Sequence, residues 1–331
     1  MPTKISFSVA ALFTGLGLIA VASPACGSTP GSGFGDATDP DGGLLDEAGN
    51  PIFGDSGTTK PGCKGLQCQQ VDCAGGATTS LSGTAFAPNG TLPLYNVIVY
   101  VPNSTVDPLV EGVTCDKCGS VASGSPVVTA LSDSSGKFKL TNVPVGDNIP
   151  LVLQVGKWRR QVVIPHVEAC KDTTLTAAST RLPAKQSEGH MPHIAVTTGG
   201  YDSMACLLPK MGIDPSEFGV EADIATKRVI FYQGEPVESP SWGAMTGVQG
   251  FWTDANQLKK FDMVMLSCEG DEHLENKPAA ARTAMDEYLK AGGRALGTDF
   301  MYTWFRLGPA PLPTTADSWY GGAPFDGSGT F

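Results

Sequence analysis

Positive charge is what this chain has least of. Its 22 Lys and Arg stand against 33 Asp and Glu, a net charge of −11, and no basic run is denser than Trp158-Arg159-Arg160. Neutralising a phosphate backbone needs clustered cations, so a general nucleic-acid-binding role is excluded. Also missing is an eightfold strand–helix repeat, which removes a TIM barrel. The acidic set Asp36, Asp39, Asp41, Asp46 and Glu47 lacks the D-x-[DN]-x-[DN]-G spacing of a calcium loop. His190 and His193 have no evident third ligand, so they read as an interdomain linker and not as a metal site. No metal and no cofactor are expected.

Bulky apolar residues are scarce between Gly27 and Gly62, where Gly, Ser, Thr, Pro and Asp dominate. Such a stretch buries too little surface to offset its ordering entropy and is expected to be a disordered acidic tether over 26–62. As a coil of about 36 residues it would span roughly 30–36 Å. Before it, Lys4 precedes an apolar run from Ile5 to Ala22 and then Ser23-Pro24-Ala25-Cys26. This is the pattern of a secretory signal over 1–25. A bilayer-spanning anchor is the competing reading, because the run approaches the ~18–20 residues a membrane requires. The small residues before Cys26 favour cleavage. The segment resembles a bacterial lipoprotein signal, which implies lipid attachment at Cys26, an N-terminal membrane anchor and an exported protein of the cell envelope, periplasm-facing or on the outer membrane.

Cysteine parity agrees with export. Removing Cys26 from the nine cysteines leaves Cys63, Cys68, Cys73, Cys115, Cys118, Cys170, Cys206 and Cys268, an even set for disulfides in an oxidising compartment. Their connectivity stays open. A zinc site built on Cys63/Cys68 and Cys115/Cys118 is the weaker alternative.

Between 79 and 166, short β-branched runs are separated by Gly, Pro, Asn and Asp: Leu81–Phe86, Val97–Val101, Val127–Leu131, Lys137–Leu140, Leu151–Val155 and Gln161–Ile164. This is the signature of an all-β domain. Asp133-Ser134-Ser135-Gly136 supplies turn formers for a hairpin. Leu81-Ser-Gly-Thr84, Pro93 to Tyr100, the hairpin Leu131 to Gly146 and Leu151 to Gly156 resemble the carboxypeptidase regulatory-like domain. The resemblance implies a transthyretin-like β-sandwich that serves as an accessory module and carries no peptidase activity. The chain departs from the family by an insertion, Pro102 to Pro126. Trp158, Arg159 and Arg160 are candidates for contacting an anionic ligand, Trp by stacking and Arg by pairing with acidic groups. An ordinary strand with one packed Trp and two solvated Arg is the blander expectation.

After a Cys-rich segment (63–78), the sandwich and a linker (167–192), the pattern changes. Ile194–Thr198, Arg228–Tyr232, Phe261–Ser267 and Arg294–Thr298 read as strands, alternating with helices that end at Met211 and at Ala291. Alternation implies a mostly parallel sheet covered on both faces over 193–306, followed by an irregular tail (307–331). The arrangement resembles the class I glutamine-amidotransferase-like fold, a flavodoxin-like family whose catalytic Cys stands after the strand matched here by Arg294–Gly297. Thr298 or Asp299 occupies that position, so the nucleophile is not carried over. Cys268 lies one strand earlier, with Glu269 and His273 nearby in sequence. A thiolate activated by His273 would make a thiol-dependent hydrolase or transferase. The neighbouring carboxylates oppose a thiolate. The favoured expectation is therefore a non-catalytic envelope module whose partner is a cell-surface glycan or protein.

Overall fold

The computed structural model describes residues 62–115, 122–202, 204–235 and 244–316. The signal, Cys26, nearly all of the tether and Cys118 lie outside the described residues.

The first half is built from seven strands: β1 (Ser80–Thr84), β2 (Ile98–Pro102), β3 (Pro126–Leu131), β4 (Lys137–Thr141), β5 (Gly146–Val155), β6 (Trp158–Val167) and β7 (Asp172–Thr174). They form a three-stranded sheet, β4-β1-β7, and a four-stranded sheet, β3-β2-β5-β6. Leu81, Phe138 and Leu140 from the first sheet and Val99, Val101, Leu151, Leu153 and Ile164 from the second share one buried core. β2 is buried at every position because Ile98 and Tyr100 pack on its other face with Val152 and Ala122. The β3–β4 turn forms as its residues require. The Asp133 carboxylate accepts from the backbone N–H of Ser135 and Lys137 at 2.8 and 2.9 Å. Gly136 sits at φ +77°, where a Cβ would collide with Pro93, so only glycine fits.

β5 and β6 run longer than their apolar runs suggest, pairing in one register from Gly146↔Val167 to Val155↔Trp158, with a break at Asn148 and Pro165. β7 falls in the stretch expected as a linker. It adds to β1 in parallel, and Leu175 and Leu182 join the same core. A disulfide between Cys73 and Cys170 fastens the segment that precedes β1 to the turn that precedes β7. The short α1 (Ala177–Thr180) follows.

The second half is a parallel sheet. β8 (Ile194–Thr197), β9 (Phe218–Val220), β10 (Val229–Gln233), β11 (Thr246–Gly247), β12 (Met263–Leu266) and β13 (Arg294–Gly297) have the order β11-β10-β8-β12-β13, with β9 also on β10. Every pairing is parallel. Helices α2 (Met204–Lys210), α3 (Val248–Trp252), α4 (Ala255–Leu258), α5 (Ala279–Lys290), α6 (Thr303–Arg306) and α7 (Leu312–Ala316) complete the domain. In α5, Ala281, Ala284, Met285 and Tyr288 are buried at the 3–4 spacing of one helical face. They join Trp252, Trp304, Phe251 and Phe261 in the core on that side of the sheet. Met191, Leu208 and Ile213 pack with Val196 and Phe231 on the other.

The two halves are tied at the amino ends of the parallel strands. Lys157, at the β5–β6 turn, makes a 2.7 Å ion pair with Asp262, both side chains being about 95% buried (6% and 5% exposed). The same ammonium donates to the Gly112 carbonyl, and the other Asp262 oxygen accepts from the His193 N–H at 2.7 Å. Asn89 N–H to the Met211 carbonyl and Val113 N–H to the Lys259 carbonyl add two backbone bonds across the joint.

Candidate functional site

Open parallel sheets place ligand groups at the carboxyl ends of their strands, and Cys268, Glu269 and His273 all follow the end of β12. Their surroundings decide what they can do. Cys268 is 2% exposed. Its N–H donates to Asp202 Oδ2 at 2.7 Å, an oxygen that also accepts from the Thr298 hydroxyl. The thiol donates to Asp299 Oδ2 at 3.4 Å, and the Gly270 N–H points to the sulfur at the same distance. Burial pushes the Cys268 thiol up from its ordinary range, and the hydrogen bond and charge of Asp299 add to the rise. A thiol held protonated is a poor nucleophile.

Among the described residues no hydrogen bond joins His273 to this thiol. The His273 ring bonds Glu275 at 3.0 Å, and that bond raises its pKa. Glu269 is likewise committed. One carboxylate oxygen meets Lys277 Nζ at 2.6 Å, with both side chains essentially fully buried, and the other accepts from the Glu235 N–H at 3.0 Å. Lys277 also donates to the Glu272 carbonyl and lies 5.2 Å from the centre of the Trp252 ring. Breaking such a pair on one side leaves a buried charge without compensation. Its visible work is to fix the loop after β12.

Further out, Glu272 accepts from the Tyr302 hydroxyl at 2.5 Å and from Arg306 at 2.6 Å. Burial and the Glu272 bond raise the Tyr302 pKa. Asp299 takes the left-handed conformation, φ 45°, directly after β13, which is unusual for a non-glycine residue. After β8 and β12, the Tyr201 ring packs over Gly270. Asp202, Lys277, Thr298, Tyr302 and Arg306 were not candidates from the sequence. Asp299 was legible only as the residue standing in the elbow position.

The cysteine expectations divide. Cys63–Cys68 and Cys73–Cys170 are disulfides, and Cys115 is disulfide-bonded. Cys206 and Cys268, expected as disulfide candidates, are free thiols: Cys206 is on the exposed side of α2 and Cys268 is walled in by Asp202 and Asp299. Zinc at Cys63 and Cys68 is thereby excluded while they remain oxidised. Among the described residues no group of three or more His, Cys, Asp or Glu is placed to hold a metal ion.

In the structure the Trp158-Arg159-Arg160 cluster makes contacts within the framework. Trp158 Nε1 donates to the Pro183 carbonyl at 2.9 Å and its ring packs against both cores. Arg159 donates to the Asp107 carbonyl, and Arg160 to the carbonyls of Ala178 and Arg181. Each guanidinium thus has an N–H on a backbone carbonyl, which fixes its place in the framework.

No family model matches the chain, and no curated protein matches it. Solved structures give weak local likenesses. A type II cohesin–X-dockerin complex from Acetivibrio cellulolyticus is 17% identical over 38% of this chain and 78% of that chain, with a TM-score of 0.21. A minor pilin of Streptococcus agalactiae is 18% identical over 32% and 44%, with a TM-score of 0.19.

Proposed function

We propose that this chain is an exported, lipid-anchored binding module of the cell envelope. In this reading a transthyretin-like sandwich at 79–166 presents a flavodoxin-like α/β domain at 193–306 that has lost catalysis, and the partner is a surface glycan or protein. The observation that carries the reading is the state of Cys268: buried, protonated and donating to Asp299, with His273 engaged elsewhere. Its neighbours stabilise a fold and do not activate a nucleophile.

Several features support the parts. Two sheets sharing one core, the Asp133 turn and the β5–β6 hairpin suit a transthyretin-like domain. A parallel sheet ordered β10-β8-β12-β13 follows the 2-1-3-4 order of flavodoxin-like sheets. Disulfides suit an oxidising compartment.

The test is alkylation of the purified, unreduced protein with peptide mass mapping. Cys206 is expected to react at once, and Cys268 only after unfolding. Rapid native modification of Cys268 near neutral pH, together with a turnover abolished by Cys268→Ser, would restore the hydrolase or transferase alternative. Anchoring has its own test: Cys26→Ala should move the protein from the detergent phase to the aqueous phase, and unchanged partitioning would remove the lipid.

A further inference from the structure

A cleft of about 630 Å³ opens where the sandwich meets the residues preceding β8, β10 and β12, within the ~300–1,000 Å³ range of small-molecule sites. Glu111, His193, Lys227, Arg228, Lys259 and Lys260 are among its lining residues. The four cations stand out in a chain with 22 Lys and Arg and a net charge of −11. Glu111 is the only carboxylate among the lining residues.

That carboxylate is placed as a ligand would be. Carried on the segment between β2 and β3, Glu111 meets Arg228 in a two-pronged pair, Nη1 to Oε2 at 2.7 Å and Nη2 to Oε1 at 3.0 Å. Its Oε1 also lies 3.5 Å from His190 Nε2. Arg228 is held for this role, its Nε donating to Gln186 at 2.8 Å, and its side chain is 17% exposed while that of Glu111 is 57% exposed. A partly buried fork pre-set for a carboxylate thus faces an acid that can swing into water. Lys227 and Lys260 each make one hydrogen bond, to the Ser216 carbonyl and to Gln257. Lys259 has only a loose 3.8 Å ion pair with Glu287. An ammonium has three donors, so these side chains retain capacity for further acidic groups.

We infer that this cleft binds a small molecule bearing two or more carboxylates, one displacing Glu111 from Arg228 and the others meeting Lys259 and Lys260, with Glu111 acting as a tethered occupant that closes the empty site. This deepens the binding-module reading and rests on it.

Calorimetric titration of the full-length protein tests the inference with citrate and digalacturonate as probes and inorganic phosphate as the comparison. Removing a built-in competitor raises apparent affinity, so Glu111→Gln should tighten citrate or digalacturonate roughly tenfold. Arg228→Gln should abolish the heat. The double change Lys259→Gln/Lys260→Gln, at side chains outside the core, should weaken binding several-fold without lowering Tm, which guards against a folding failure of Arg228→Gln. Tighter digalacturonate identifies an acidic sugar as the ligand class, and tighter citrate a free polycarboxylate. Equal affinities in the wild type and Glu111→Gln would overturn the closing role. No heat with either probe in Glu111→Gln, or phosphate bound as tightly as both, would overturn the carboxylate site. Because Cys268 lies at the opposite edge of the sheet, its alkylation reports on the non-catalytic reading independently of these titrations.

Discussion

At the scale of single residues, chemistry here follows from what surrounds a group more than from its type. Cys268 has the sulfur of a nucleophile and the setting of a core residue. Asp299 contributes to holding the proton on it, so Asp299→Asn should lower the thiol pKa and speed native alkylation at mildly alkaline pH. Burial, the larger cause, remains, so the gain should be partial; a rate unchanged across the pH range would show that the carboxylate has no part in it. Glu188 illustrates the opposite shift. Arg181 grips both its oxygens at 2.7 Å and holds its carboxyl down at about 2, from an ordinary value of 4.5. A folded-state pKa below the unfolded one stabilises above the unfolded value, and that contribution drains away as pH falls from about 4.5 toward about 2. Denaturation followed across this window should lose on the order of 3 kcal/mol by linkage, and Glu188→Gln should flatten that part of the profile. An unaltered acid limb would assign the loss to other carboxylates.

At the scale of elements, the sandwich is closed by a cross-link as much as by pairing. β7 has three residues and pairs only with β1, too little to hold itself. The Cys73–Cys170 disulfide joins positions 97 residues apart, and closing a loop of that length in the unfolded chain stabilises by roughly 4–5 kcal/mol in the chain-entropy model. Cys63–Cys68 spans only 5 residues, for which the same relation gives about 2 kcal/mol. Replacing Cys73 and Cys170 together by Ser should therefore lower denaturant stability by more than replacing Cys63 and Cys68. If the two pairs cost the same, loop closure is not what the longer bridge contributes.

At the scale of the whole molecule, a lysine joins the halves. Lys157 projects from the β5–β6 turn to Asp262 at the amino edge of the parallel sheet, and Asp262 in turn fixes His193 at the start of β8. Lys157→Met removes the cation that faces Asp262 while keeping most of the length of the side chain. Loss of one partner of a buried pair costs about 3–5 kcal/mol. Calorimetry of the variant should show the single melting transition separate into two, one for each half. A single transition displaced as a whole would mean that the backbone bonds from Asn89 and Val113 are sufficient coupling. The same junction frames the cationic cleft, so the joint and the proposed ligand site are one construction: Gly112, which accepts from Lys157, stands beside Glu111, which closes on Arg228.

Local chemistry was enough to read the strand runs from Leu81 to Ile164, the turn at Asp133–Gly136, four of the strands of the second half and α5, because each is specified by periodicity and turn residues within about ten positions. Composition likewise determined the acidic balance. Tertiary structure alone decided the rest. The fate of Cys268 depends on Asp202 and Asp299, 66 and 31 positions away; β7 exists because β1 offers an edge next to a disulfide; Trp158, Arg159 and Arg160 find carbonyls from segments that sequence spacing does not bring near. The amino-edge cleft had no signal at all, since Glu111 and Arg228 stand 117 positions apart. Hydrophobic pattern acts over a few residues, whereas burial, ion pairing and the pKa of a thiol are set by whatever the folded chain packs around the group.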